Sequence, residues 1–490
     1  MTRSIILALA SATTAALLAG CTVGPRDLDA HAALPPTPAA VTITPAGGPV
    51  QATATAAVAA DWWRAFRSPA LDALVDEALA HSTDVAVAEA TLRQAQEQAR
   101  VTGAALLPQV DASYQAQRTR VSNALSPAVA DQNQQLYTLH TVQGTVSYDL
   151  DLFGGNRAKL RSARAAAAVQ AHRLDAARMT VVANLVTAAI ARASLADQIA
   201  AAQTSIAVNR DILGKMQQRQ RLGDIGLADV ATQQTALATA EGALPPLVRA
   251  EAQQRVLIGT LIGRAAGIAL PPLPDMASLT LPQALPAVVP SDLVARRPDV
   301  RAAQAQLEGA GADVGAAIAA RLPSIQLGAN AGGAAQRFGD MFATGNPFWS
   351  LIGGITQPIF HGGALRHQQK AAEAALEGAK AQYRAAVLQA FGDVANALTA
   401  LRTDGDALTA ATRASDAADQ ALTFARRQLA LGSVGTLQLL NATAADAQAR
   451  QQLVQARAAR LTDTVAMFQA AGGPIAASGP AAGYGAAGAR

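Results

Sequence analysis

Phe360-His361-Gly362-Gly363 opens a run that reaches Leu431-Gly432-Ser433-Val434-Gly435 without a proline. Within it Val387, Val394, Leu401, Leu408, Leu422 and Leu429 fall on one seven-residue repeat, interrupted only at Ser415. Such a repeat lines up on one stripe of a slightly under-wound helix, the seam of a coiled coil. Leu376, Tyr383 and Ala390 make a flanking stripe. At about 1.5 Å per residue the run predicts a helix roughly 100 Å long, against a usual mean of about 11–12 residues. A helix of that length buries its stripe only against partners as long as itself.

Working outward, the same order of elements occurs twice. Asp151-Leu152-Phe153-Gly154-Gly155 precedes a second long helix, about Asn156 to Arg221, which breaks at Leu222-Gly223-Asp224-Ile225-Gly226; a shorter helix returns from Leu227 to about Arg264. The later counterparts are Phe360-His361-Gly362-Gly363, the turn at Gly432-Ser433-Val434-Gly435, and a final helix to about Gln469. Before each long helix stand a helix and two alternating stretches. A helix from about Pro69 ends at Leu106, ahead of Pro108; another opens in Leu293 to Val300 and ends at Leu322-Pro323. The offset is roughly 208–215 residues throughout, so the chain carries an internal duplication.

The alternating stretches are strands with one apolar and one polar face. Val110, Ala112, Tyr114 and Ala116 oppose Gln109, Asp111, Ser113, Gln115 and Gln117; Val142, Val146, Tyr148 and Leu150 oppose Thr141, Gln143, Thr145, Ser147 and Asp149. Ile325, Leu327, Ala329 and Ala331 repeat the pattern before Trp349-Ser350-Leu351-Ile352. A polar loop with Asn123, Ser126, Pro127, Asp131 and Asn133 joins the first pair. A soluble hairpin shows the same alternation, but four strands with no second sheet to pack on suit lipid outside and water inside. Lipid tolerates no open strand edge. Known bacterial barrels begin at about eight strands, so four cannot close alone, whereas three copies supply twelve.

Composition agrees with rods and a thin sheet. The 490 residues are 51% hydrophobic but 3% aromatic, and alanine carries much of the apolar share. The net charge of +4 is interspersed, and no basic cluster pairs with aromatics, so a nucleic-acid partner is not expected. The six histidines fall in unrelated elements, and neither metal-ligand spacing, a phosphate loop nor a nucleophile elbow occurs. The reading is therefore not an enzyme, with no cofactor and no metal.

Met1-Thr2-Arg3 followed by apolar Ile5 to Ala19 reads as a secretory signal. It ends at Leu18-Ala19-Gly20-Cys21, and Cys21 is the only cysteine in the chain. The alternatives are an incidental cysteine after a cleaved signal and a lipobox, in which Cys21 carries acyl chains. Residues 21–68 read as an extended segment leading through Trp62-Trp63; 69–264 and 291–470 as the repeats, with hairpins at 109–150 and 324–358 and tips at 222–226 and 431–435; 265–290 as a linker; and 471–490 as a tail.

Arg296-Arg297-Pro298-Asp299-Val300-Arg301, Trp62-Trp63, the Gly-Gly turns and the Gly-x-x-Gly turns resemble outer-membrane efflux lipoproteins of the OprM/NodT type, relatives of TolC. The resemblance implies an α+β membrane protein: a trimeric channel-tunnel with a twelve-stranded β-barrel, four strands per chain, a long α-helical coiled-coil barrel and a mixed equatorial domain. It implies an outer-membrane location, reinforced by Thr22 after the lipobox, and partnership as a homotrimer with a periplasmic adaptor and an inner-membrane pump of the resistance-nodulation-division class. The cargo would be drugs and small toxic molecules; a duct for protein secretion is the alternative. A periplasmic adaptor, by contrast, would need only one helical hairpin.

The tips Gly223, Gly226, Gly432 and Gly435 are expected to permit positive φ and to dock the adaptor, besides acting as helix caps. In the family the periplasmic aperture closes with a leucine and, four residues on, an aspartate. The matching positions are Leu437 and Asn441, so the leucine is kept and the carboxylate is not. Asp229, Asp416 and Asp419 either supply the missing charge or are solvated surface. The constriction is expected to be steric more than electrostatic.

Overall fold

A computed structural model describes residues 24, 59–120, 136–282, 296–431 and 433–472. The signal segment, Cys21, most of the extended segment, the loop holding Asn123 to Asn133, residues 283–295, Gly432 and the tail from 473 lie outside the described residues.

The elements run α1 (Pro69–His81), α2 (Thr83–Ala104), β1 (Gln109–Arg120), β2 (Leu136–Leu150), α3 (Gly155–Arg221), α4 (Leu227–Leu261), α5 (Pro298–Ala319), β3 (Ser324–Ala335), β4 (Pro347–Thr356), α6 (Ala364–Ala430) and α7 (Thr436–Ala471). The duplication shows in the lengths: α3 and α6 are each 67 residues, α4 and α7 are 35 and 36, and α2 and α5 are each 22. Strands β1 and β2 outrun their expected ends, to Arg120 and from Leu136.

Three expectations are corrected. The stretch from Pro69 to Leu106 is two helices, because Ser82 is extended (φ −62°, ψ 128°) and its buried position ends α1 with an N–H bond to the Ala78 carbonyl. Helix α5 begins at Pro298, whose fixed φ and missing N–H suit the first helical position. Helix α4 stops at Leu261 rather than Arg264, and it carries Pro245 and Pro246 in its interior.

The chain forms two compact units. One comprises Leu92–Gln170 and Ala303–Tyr383 and holds the sheet. Its four strands are antiparallel in the order β1-β2-β3-β4, so β1 and β4 each have one neighbour and one open edge. Residues directly opposite each other share a face. The register therefore builds an apolar face from the rows Leu150–Ile325–Ile355, Tyr148–Leu327–Gly353, Val110–Val146–Ala329–Leu351 and Ala112–Gly144–Ala331–Trp349. The other face carries Asp111–Thr145–Asn330–Ser350 and Ser113–Gln143–Gly332–Phe348. Among the described residues nothing in the unit covers these four rows: Val110 is 72% exposed, Leu351 74% and Trp349 75%, whereas the β3–β4 loop lies over the next stretch of the face, with buried Met341 against Gly333. Beside the sheet, Leu307 and Val314 of α5 bury against Leu376 and Ala379 of α6.

The second unit comprises Leu34–Thr91, Ala171–Ala302 and Arg384–Arg490. Here Val387, Val394, Leu401 and Leu422 of the heptad stripe are buried, as is Ala390 of its flank; Leu408 and Leu429 are half-buried. Trp62 stacks on Phe468 of α7 at 5.3 Å between ring centroids, seating the short turn Trp62–Phe66 on the helix end. Arg297 gives the Arg-Pro-Asp stretch its structural role. Its guanidinium donates to Asp299 Oδ2 (2.8 Å), to Asp393 Oδ2 on α6 (2.8 Å) and to the Ala470 carbonyl at the end of α7 (3.1 Å). Burial pushes Asp299 upward, but hydrogen bonding to Arg297 outweighs it and holds the carboxyl below its ordinary value.

The bare apolar face sets a test. Lysine at Leu351, mid-face, is expected to cost about 2–4 kcal/mol in a bilayer and to abolish the heat-modifiable band on unboiled gels. Lysine at Ser350, on the opposite face, should leave that band intact.

Candidate functional site

The two helix-hairpin turns are built alike. Gly223 has φ +80°, its N–H donates to the Gln220 carbonyl, and the Asp224 N–H reaches back to Arg219 (3.0 Å each). This pair of bonds is the Schellman closure, which leaves a left-handed residue where glycine alone is unstrained. Arg219 Nε meets Asp224 Oδ2 at 2.7 Å in place of the usual apolar contact. In the second turn Ser433 N–H donates to the Gln428 carbonyl at 3.0 Å, the same five-residue reach, and the Ser433 hydroxyl donates to that oxygen too.

Gly226 and Gly435 depart from expectation. Both are extended N-caps, with φ −80° and −83°, a conformation open to any residue. No heavy atom lies within 4 Å of a side chain begun at Gly435. Their smallness leaves clear space in front of the turns rather than meeting a backbone demand.

Behind the turns, Ile212 and Met216 of α3, Val230 of α4, Leu422 and Ala425 of α6, and Leu439 and Ala442 of α7 form one buried cluster. It holds the two hairpins side by side. Next to it, α3, α4 and α7 enclose an open groove of about 780 Å³. Leu437 and Asn441 line it, together with Ser205, Asn209, Thr232, Thr235 and Gln448. Every lining residue is uncharged. The three candidate carboxylates are absent from that lining, each for a local reason. Asp229 accepts from the Gly226 N–H at 3.2 Å, completing the first turn of α4. Asp419 is held by Arg450 at 2.7 Å, whose Nε also meets both oxygens of Asp446. Asp416 is exposed on α6. Structure thus brings Leu437 and Asn441 together in one concavity and leaves Asp229, Asp416 and Asp419 outside it.

Sequence reading missed the polar groups buried between helices. Gln233 on α4 is fully buried and donates to the backbone and side-chain oxygens of Asn209 on α3, at 2.8 and 3.1 Å. Further along, Asp404 of α6 lies against Asp463 of α7, with Arg460 donating to the Leu401 carbonyl. Burial first, then the neighbouring Asp463, push Asp404 up to about 6, and burial pulls the Arg460 guanidinium down. Only the spacing Asp463–Arg460, one helical turn, hints at this group. Among the described residues no set of three or more His, Cys, Asp or Glu converges as a metal site.

A family model described as outer membrane efflux protein matches residues 74–264 and 289–473, most of the chain and both repeats. This chain belongs to the outer membrane efflux protein family. Over 465 residues the efflux protein is 32% identical to the pyoverdine export outer membrane protein OpmQ of Pseudomonas putida, covering 93% of this chain and 97% of that one. It is 31% identical over 484 residues to the toluene efflux pump outer membrane protein TtgC of the same species, covering 96% of each. The open state of the Neisseria gonorrhoeae MtrE outer membrane channel matches with a TM-score of 0.79 at 25% identity, over 93% of this chain and 99% of that one. The efflux protein is thus an outer-membrane component of an efflux system, with the mixed helical and four-stranded fold of its relatives.

Two stability tests follow from the site. Gly223→Ala should cost about 1–2 kcal/mol, the penalty of a left-handed non-glycine residue, whereas Gly435→Ala should leave the melting temperature unchanged. A carboxyl whose folded pKa exceeds its unfolded 3.8 binds more protons when folded, so its contribution falls as pH rises from there to about 6. Asp404→Asn should therefore raise the melting temperature at pH 7.5 and flatten its decline between about pH 4 and 6.

Proposed function

We propose that three copies of this chain close their sheets edge to edge into a twelve-stranded barrel, forming a passive exit duct for small molecules across the outer membrane. One observation carries this reading: a four-stranded sheet with a bare apolar face and two open edges. Lipid covers such a face, and only further strands satisfy such edges. Cys21 carries acyl chains that add a second hold on the membrane. The duct does no chemistry. Energy comes from an inner-membrane pump of the resistance-nodulation-division class, joined through a periplasmic adaptor that docks at the turns around Gly226 and Gly435.

The uncharged groove supports small organic cargo and a steric constriction at Leu437 and Asn441. Relatives named for pyoverdine and toluene export bracket the chemistry expected of the cargo. A deletion strain should become sensitive to drugs or solvents when the cognate pump is present; unchanged sensitivity with loss of a secreted protein would overturn the small-molecule reading. Gly226→Trp with Gly435→Trp should abolish adaptor cross-linking while unboiled trimers persist. In single-channel recordings trivalent cations should block the wild type weakly and Asn441→Asp at least tenfold more tightly, since the substitution installs a carboxylate ring.

A further inference from the structure

The apolar face of the sheet ends differently at its two ends. From the row Leu150–Ile325–Ile355 to the row Ala116–His140–Ala335 is a ten-residue step. At about 3.3 Å per residue and a strand tilt of about 40°, it spans about 25 Å, the height of a barrel's lipid-facing band. The aromatic groups gather where that band stops. Tyr114 and His140 stack, with Tyr114 Oη 2.8 Å from His140 Nδ1, and the ring of Phe338 packs edge-on against both. Phe338 is still 62% exposed. Aromatic side chains with polar tips sit at the depth where hydrocarbon gives way to headgroups.

Beyond this cluster the same face turns basic. The register places Arg118 opposite Thr138 and Arg120 opposite Leu136, one and two rows past His140. Arg337 is extended (φ −118°, ψ 139°) two residues past Ala335, beside Phe338. All three arginines are exposed, and among the described residues no ion pair engages any of them. Asp340 is the one described carboxylate on the β3–β4 loop. At the other end of the face the next residues are Leu152, Pro323 and Gln357, none of them charged. One row is about 7 Å along a strand, or about 5 Å along the membrane normal at that tilt, so Arg118 falls within the headgroup layer, which adds about 5–7 Å on each side of the hydrocarbon core, and Arg120 stands at its outer margin.

We infer that Arg118, Arg120 and Arg337, with the Tyr114–His140–Phe338 cluster beneath them, form an outward-facing site for the phosphate-bearing headgroup of an outer-leaflet glycolipid of the lipid A class. Guanidinium groups suit phosphate because they pair with it through two parallel N–H bonds. The rings below contact the first segment of the acyl chains. This inference rests on the sheet being a membrane-spanning barrel, as proposed above.

Native mass spectrometry of trimers extracted from outer membranes and exchanged into mild detergent tests it. Wild-type trimers should retain added bis-phosphorylated lipid A, and Arg118→Gln/Arg120→Gln/Arg337→Gln trimers should retain at least tenfold less. The corresponding triple lysine variant, which keeps the charge but loses the paired N–H bonds, should retain an amount between those of wild type and the glutamine variant. Dephosphorylated lipid A should fail to compete on wild-type trimers, a comparison that needs no variant, and inorganic phosphate at equal concentration should fail to displace the lipid. Equal retention by the glutamine variant, equal binding of dephosphorylated lipid, or displacement by phosphate would overturn the site. Wild-type protein found outside the outer membrane would instead sink the duct reading.

Discussion

Open strand edges in an apolar medium constrain this molecule more than any single contact. Alternate residues along the open edges of β1 and β4 turn backbone groups outward where hydrocarbon cannot solvate them, and an unmade backbone hydrogen bond there costs several kcal/mol. The sheet supplies no second layer to hide behind: its apolar rows run uncovered from β1 to β4. Both problems have the same remedy, which is more strands of the same kind. Assembly is therefore a condition of the fold rather than an addition to it.

The helices solve a different problem. Long rods meet along narrow stripes, and the stripe residues are mostly small: Ala379, Ala390, Ala397, Ala425 and Ala442 are all buried. Small side chains bring backbones close but bury little area each, so polar contacts hold the rods in register. Arg297 ties α5, α6 and the end of α7 through three acceptors. Gln233 and Asn209 link α3 to α4, and Arg450 links α7 to α6. Breaking the buried contacts of Arg297 or Gln233 strands a charge or an amide, which is why such contacts specify alignment more firmly than their net energy suggests, whereas the exposed Arg450–Asp419 pair contributes little.

Much of this was legible in the sequence because two periods dominate it. The heptad stripe of Val387 to Leu429 and the two-residue alternation around Val146 each persist long enough to fix an element and its buried face. The duplication then checked one half against the other. What escaped has local causes. Ser82 breaks a helix within a pattern that stays helical on both sides. Gly226 and Gly435 resemble left-handed glycines in sequence, yet among the described tip glycines only Gly223 has the positive φ, because a Schellman closure needs one such residue and the next glycine merely starts a helix. Asp229 and Asp419 look like free charge near an aperture; their partners, a backbone N–H and Arg450, are visible only in three dimensions. The Asp404–Asp463–Arg460 group joins residues about sixty positions apart, beyond any local pattern.

The two prolines in α4 have one more effect. Pro245 and Pro246 have no N–H to offer, so the carbonyls of Glu241 and Gly242 lose their partners one turn back. Its counterpart α7 carries no proline, although the hairpins are otherwise matched in length. In the trimer proposed above, the two hairpins of each chain would match in length but differ in stiffness, so a flexible joint would occur three times rather than six. Any dilation would be shared unequally, with alternate staves yielding at a preset joint while those between them stay stiff.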